Sequence, residues 1–229
     1  MTRRLIDIIA GLILPRQCDI CRRDLLQGEH ILCMHCLAAL PTCHEPEADL
    51  RASRITRHAP VARVATWLSY TRHNTAATLI RRGKYNGRPD IFATLGKILA
   101  GRLARAGTLS GIDALIPVPM HWYKRLRRGY NQAAILAQAI SAATGIPVLH
   151  GAVTATRSTP QQAGSSAQAR ADNSHQRFRA TRSLQGMHIA IVDDILTTGA
   201  TISGVIEALA QSRPQAISII TLAAAPSPA

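Results

Sequence analysis

Apolar and polar positions along the chain fall into stretches of two kinds. Short, largely apolar runs stand at 113–118, 189–192 and 216–223, as buried strands do when a sheet is covered on both faces. Residues 61–70 alternate instead, with Val61, Val64, Trp67 and Tyr70 as the larger side chains, and residues 147–155 give a further strand candidate. Between these lie helical patterns. Residues 75–82 form one, broken by Gly83, with Lys84 on the turn that follows. Residues 90–106 form a second, whose apolar side is Ile91, Leu95, Ile98, Leu99 and Leu103. A third spans 131–143, and a fourth runs through Val205, Ile206, Leu209 and Ala210. Strands alternating with helices predict an α/β architecture around a central, mainly parallel sheet.

The N-terminal part has a different texture. Leu5, Ile8, Ile9, Leu12 and Ile13 fall at helical spacing and predict an amphipathic helix docked on the protein. Its apolar run is short, contains Asp7 and leads to Pro15 without a small-residue cleavage site, which argues against a signal peptide. No stretch has the length of a transmembrane segment, so a cytoplasmic location is expected. Cys18-Asp-Ile-Cys21 and Cys33-Met-His-Cys36 then form two Cys-x-x-Cys pairs with eleven residues between them. Four thiolates so spaced suit one tetrahedral Zn²⁺ that folds the module and does no chemistry. Redox pairs or disulfides are the alternatives, and they belong to chains with an export signal. The expected organisation is a helix and zinc-ribbon module over 1–45, a linker over 46–60, and the main domain over 61–229.

Candidate chemistry concentrates at 188–202. The run 189–192 is followed by Asp193 and Asp194, which are predicted to end the strand and are the chain's one adjacent pair of acids. Thr197, Thr198, Gly199, Ala200 and Thr201 come next, opening the fourth helix. Threonines at a helix start are ordinary caps. Three of them with a glycine and two acids at a strand's carboxyl end, where open α/β sheets bind ligands, make a phosphate cradle the better reading. Carboxylates beside an anion site fit ribose hydroxyls, or waters around Mg²⁺.

Composition adds charge. Lys and Arg outnumber Asp and Glu by 27 to 13, a net charge of +14, so the partners favoured are polyanions: phosphorylated substrates, nucleic acid or an acidic membrane surface. The densest cluster follows the 113–118 strand: Lys124, Arg125, Arg127 and Arg128, with Trp122, Tyr123 and Tyr130 interleaved, then Asn131 and Gln132. Guanidinium forks there can neutralise a pyrophosphate, the aromatic rings can stack bases, and the plain alternative is a solvated loop. Lys84 can reach a phosphate from its turn. Residues 157–182 are polar and Arg-rich, predicting a functional loop or flap that includes Arg157 and Arg170.

These parts resemble two linked families. The 192–201 stretch is similar to the ribose-phosphate signature of type I phosphoribosyltransferases, which bind phosphoribosyl pyrophosphate (PRPP). With the cysteine pairs, Lys84-Tyr85, Pro117-Val-Pro119, Arg128-Gly-Tyr-Asn-Gln132, Arg157 with Gln162, Arg170-x-x-Asn173 and Phe178, the whole order resembles the ComF/GntX family. In that family a zinc ribbon precedes a phosphoribosyltransferase-like domain. The resemblance implies Asp193 and Asp194 as the catalytic pair on the ribose hydroxyls, and residues 197–201 on the 5-phosphate. Lys84, Arg125, Arg128, Asn131 and Gln132 would serve the pyrophosphate with Mg²⁺, and Arg157 and Arg170 a flap. It also implies a role in DNA uptake or nucleotide metabolism. The partners would be PRPP or a ribose 5-phosphate, single-stranded DNA, and proteins of the competence machinery. Two further readings are a non-catalytic DNA-binding protein that keeps the pocket, and an adaptor whose ribbon docks a partner.

Overall fold

The computed structural model describes residues 16–43, 61–156 and 178–226. The predicted N-terminal helix, the linker and residues 157–177 of the predicted flap, Arg157 and Arg170 among them, lie outside the described residues, while its end at 178–182 is described and contains a short strand.

Four strands form one parallel sheet. They are β1 (Val61–Ser69), β2 (Ala114–Pro117), β5 (His188–Leu196) and β6 (Ala216–Ala224), in the order β1-β6-β5-β2. The runs that fill β5 and β6 are apolar on both faces because both faces are covered. In β5, Ala190 and Val192 join one buried cluster, while Ile189 and Ile191 join the other. The first cluster lies under α2 (Thr75–Tyr85), α3 (Pro89–Arg105) and α5 (Gln132–Thr144), through Leu79, Ile80, Ile91, Leu95, Leu99, Leu136 and Ile140. The second lies under α6 (Ala200–Ala210), through Ile202, Val205, Ile206 and Leu209. Each of these fully buried aliphatic side chains contributes about 1.5–3 kcal/mol. Strands β3 (Val153–Ala155) and β4 (Phe178–Ala180) pair antiparallel and pack on this second face.

The cysteine module is built into the first cluster. Cys18, Ile31, Leu32, Cys33, Cys36 and Leu40 share one buried core with Trp67, Leu68, Leu79 and Ile80. Its exit pairs with the edge of β1, where Cys43 N–H donates to Trp67 O (2.9 Å) and Ser69 N–H to Pro41 O (2.9 Å). A short helix, α1 (Met34–Ala38), starts from Cys33.

Four boundaries differ from the sequence expectation. Helix α2 does not stop at Gly83 but runs to Tyr85, which puts Lys84 in its last turn. Glycine is tolerated there because a Cβ would lie 2.5 Å from Phe92 Cε2, so the missing side chain is what lets α3 pack close. The strand with the paired acids continues past them to Leu196, paired throughout with β6. The basic stretch is not a loop but a helix, α4 (Trp122–Arg128), closed by Gly129 in the left-handed conformation (φ 83°). Residues 147–155 are interrupted at Gly151 (φ 71°): Val148 bridges to Leu115 of β2, and only 153–155 form β3.

Candidate functional site

The four cysteines converge. Their sulfurs all lie within 4.8 Å of one another, and Cys21 Sγ is 3.7 Å from Cys33 Sγ. A tetrahedron of Zn–S bonds has edges of about 3.8 Å, so the spacing fits one ion. Cys36 N–H donates to Cys33 Sγ (3.4 Å), and that bond chiefly lowers the Cys33 thiol to about 6. At Cys18 burial opposes ionisation, but the N–H groups of Cys33, Cys21 and Ile20 outweigh it and lower the pKa. Burial and the neighbouring sulfurs push Cys36 up to about 12. Several crowded sulfurs competing for charge is the donor chemistry that a divalent cation satisfies, and the cluster could hold a metal such as zinc.

The second site follows from topology. Neighbouring strands β2 and β5 are paired from Ala114↔Ile189 to Pro117↔Val192. The helix after β2 that packs on the sheet, α5, covers one face, and the helix after β5, α6, covers the other. A crevice opens at the carboxyl ends of two strands whose following helices diverge in this way. Strand β2 ends where the acids of β5 begin, so Asp193 and Asp194 stand at that strand end. Successive side chains alternate faces, which sends Asp194 toward α2. There the Lys84 ammonium pairs with Asp194 Oδ2, both side chains being mostly buried. Asp194 N–H donates to Asp193 Oδ1 (2.8 Å). Burial, then the charge of Asp194, hold the Asp193 carboxyl well above the usual carboxylate range, against the pull of the Asp194 N–H and Lys84.

Gly199 takes the left-handed conformation (φ 82°) and is the N-cap of α6, to which it offers no side chain. Thr197, Thr198, Ala200 and Thr201 are exposed, and Ala200 N–H makes only a long bond to Thr198 Oγ1 (3.4 Å). An eleven-residue helix thus begins beside the acids with hydroxyls exposed and its first amides weakly engaged, an arrangement that attracts anions.

The remaining predicted residues divide into two sets. Arg128 is brought in: its guanidinium lies 5.3 Å from the centre of the Tyr85 ring, next to Lys84, and donates to Gln132 Oε1 (2.9 Å). Gln132 is buried, and its Nε2 has no hydrogen-bond partner among the described residues. Asn131 is occupied structurally, since it caps α5 at Ala133 N–H (3.1 Å) and donates to Val118 O (2.9 Å). Arg125 stands exposed on α4, a helix with no buried residue, beside exposed Trp122, Tyr123 and Leu126. Sequence reasoning missed Asp19, Arg82 and Arg88, which form an ion-pair group between the cysteine module and α2. Nothing in their spacing signals it, because the partners are 63 and 69 residues apart.

Comparison with known proteins bears on the family. A phosphoribosyl transferase domain matches residues 126–229, and the fold is of the type I phosphoribosyltransferase kind. The DNA utilization protein YhgH of Shigella flexneri is 31% identical over 211 residues, 86% of this chain and 92% of that one. Competence protein F of Haemophilus influenzae is 35% identical over 153 residues, 64% of this chain and 67% of that one. A solved purine phosphoribosyltransferase from Pyrococcus horikoshii is 18% identical, with a TM-score of 0.36 over 57% of this chain and 70% of that one. Among the described residues no helix is long and apolar enough to cross a membrane. A likeness that spans most of both chains, together with the domain match, makes this chain a member of the ComF family.

Proposed function

We propose that the crevice binds PRPP or a related ribose 5-phosphate with Mg²⁺, and that the protein uses this ligand in the service of DNA uptake. The observation that carries the reading is the pairing of two partly buried acids with a helix start that has no side-chain cap, at the point where α5 and α6 diverge. Asp193 and Asp194 would accept the ribose hydroxyls. The 5-phosphate would lie on residues 197–201, drawn by the amides of α6. Lys84 and Arg128 would face the pyrophosphate, with Gln132 holding Arg128. Mg²⁺ would supply charge neutralisation to the leaving group.

Pentosyl transfer is the reaction such a site supports. Positive charge growing on the sugar would be stabilised by the two carboxylates, and negative charge on the pyrophosphate by the cations. The link to DNA uptake rests on the names of the relatives, DNA utilization and competence proteins. Calorimetric titration with PRPP, ribose 5-phosphate and nucleotides, with and without Mg²⁺, tests the reading. Metal-dependent PRPP binding that Asp194→Asn abolishes is expected. Equal affinity in that variant would remove the acids from the site.

One observation favours a second reading. Helix α4 presents Trp122, Tyr123 and Leu126 to solvent among Lys124, Arg125 and Arg127, a surface on which single-stranded DNA can stack and pair its phosphates. A protein with +14 net charge binds DNA loosely anyway, so the informative quantity is the slope of affinity with salt. Replacing Arg125 and Arg127 with Gln should flatten that slope. An unchanged slope would remove this surface from consideration.

A further inference from the structure

The cysteine module and the ribose-phosphate crevice meet at opposite sides of one helical turn. Asp19 lies between Cys18 and Cys21 and is buried, 3% exposed. Its carboxylate is fully engaged: Arg82 Nη1 donates to Oδ1 (3.0 Å), and Arg88 donates through Nη1 to Oδ1 (3.3 Å) and through Nη2 to Oδ2 (2.9 Å). The Asp19 carbonyl also accepts from Arg82. Arg82 belongs to the last turn of α2, two residues before Lys84. At 3.6 residues per turn, side chains two apart leave a helix about 200° apart, on opposite sides. The turn therefore separates two carboxylates, Asp19 held by Arg82 and Asp194 held by Lys84. The residue between them is fixed as well, since Gly83 O accepts from the Tyr130 hydroxyl and its bare Cα faces the Phe92 ring.

We propose that Asp19 is a positioning residue for the crevice. Through Arg82 and Arg88 it sets the last turn of α2, and so places Lys84 at Asp194. A metal ion on Cys18, Cys21, Cys33 and Cys36 would hold Asp19 itself, because it lies inside the Cys18–Cys21 knuckle. The ribbon is then a part of the ligand site and not an appended module. Each link is short: backbone from the knuckle to Asp19, an ion pair from Asp19 to Arg82, and two helical residues from Arg82 to Lys84. Removing the carboxylate leaves the Arg82 guanidinium without its anion, while Arg88 keeps Asp90, and the turn loses its anchor on that side. The affinity consequence rests on the crevice binding PRPP; the positional consequence does not.

Two measurements on the full chain separate them. Hydrogen exchange reads the amides of residues 82–86 and 193–196, and calorimetry reads PRPP affinity with Mg²⁺. In Asp19→Asn, and in protein stripped of metal by a chelator, exchange at 82–86 should rise while β6 stays protected. PRPP affinity should fall roughly tenfold or more. Asp90→Asn removes a partner of Arg88 that does not touch the module, and should change neither reading. If Asp19→Asn does not fold, Arg82→Met takes its place, because Asp19 keeps Arg88; loosening confined to 82–86 is expected. Wild-type exchange at 82–86 in the folded variant overturns the proposal, whatever the ligand does. Loosened exchange with unchanged PRPP affinity also overturns it, since Lys84 would then not depend on the anchor. Should the wild-type chain bind no PRPP, the functional reading fails, and the exchange comparison alone still decides the positional claim.

Discussion

Two charged groups flank the end of α2, and they differ in how their charges balance. On the ribbon side, Asp19 and Asp90 face Arg82 and Arg88, two acids against two cations. The Arg88 guanidinium holds the Asp90 carboxyl below its usual range, and Asp90 in turn raises Arg88. On the crevice side, among the described residues, Asp193 and Asp194 face Lys84 alone, and Asp193 is driven upward by burial and by its neighbour. A matched group is stable as it stands and serves the fold. A mismatched, buried group is less stable alone and gains from a ligand that brings hydroxyls or a cation, the pattern expected of a functional site.

The comparison can be broken or sharpened in several ways. The largest effect should come from the four-cysteine cluster that underlies the matched side. Replacing Cys18 and Cys21 with Ser should cost on the order of 5 kcal/mol and abolish bound zinc. Unfolding curves together with metal content check this, and an undiminished metal content would show that the four sulfurs are not the ligands. Next is Asp19→Asn, at about 2–4 kcal/mol by denaturant unfolding. That lies below the cost of breaking a fully buried pair, because the Arg88 side chain is 40% exposed. A loss under about 0.5 kcal/mol would make the network an ordinary surface pair. Gly83→Ala drives a Cβ into the Phe92 ring and should cost about 1–3 kcal/mol, tilting the turn that separates the groups.

On the mismatched side the sign reverses. Asp193 has a raised pKa in the folded protein, so folding favours the protonated form. Its contribution is fully present below the ordinary carboxylate pKa and is lost as pH rises through the folded value. Asp193→Asn should therefore be more stable than wild type at neutral pH, with the gap opening from about pH 4 upward. Thermal midpoints against pH read this directly, and parallel curves for the two proteins would refute it. Smallest is Asp90→Asn. Asp90 has a lowered pKa, so its contribution is present above the ordinary carboxylate pKa and lost in acid. Half exposed, it should cost less than about 1 kcal/mol at pH 7, and nothing once the pH is below the folded value.

Much of the frame was legible in the residue pattern. The runs that became β2, β5 and β6 are apolar on both faces, and the amphipathic spacing of α3 is unbroken, so local periodicity was enough. Helix α4 was not legible because it buries nothing and has no apolar stripe; its signals are a His121 cap and the Gly129 stop. The end of α2 was misjudged because glycine usually ends a helix, and the Phe92 ring that favours it here is contributed by α3. The convergence of the four cysteines could be expected from spacing alone, and so could the placing of the acids and threonines at one strand-to-helix junction. The opposite duties of Asn131, tied to Val118 and Ala133, and of Gln132, tied to Arg128, could not.

Chemistry that depends on near neighbours in the chain was set before folding: thiols on two tight turns, acids followed by a glycine-led helix, and strands apolar on both faces. Chemistry that depends on distant partners appeared only when the sheet assembled. The pairing of Lys84 with Asp194, and of Asp19 with Arg82 and Arg88, depends on how α2 lies against β5 and the cysteine module. Side-chain ion pairs have a reach of a few ångströms, so no spacing along the chain can announce one whose partners only packing brings within that distance.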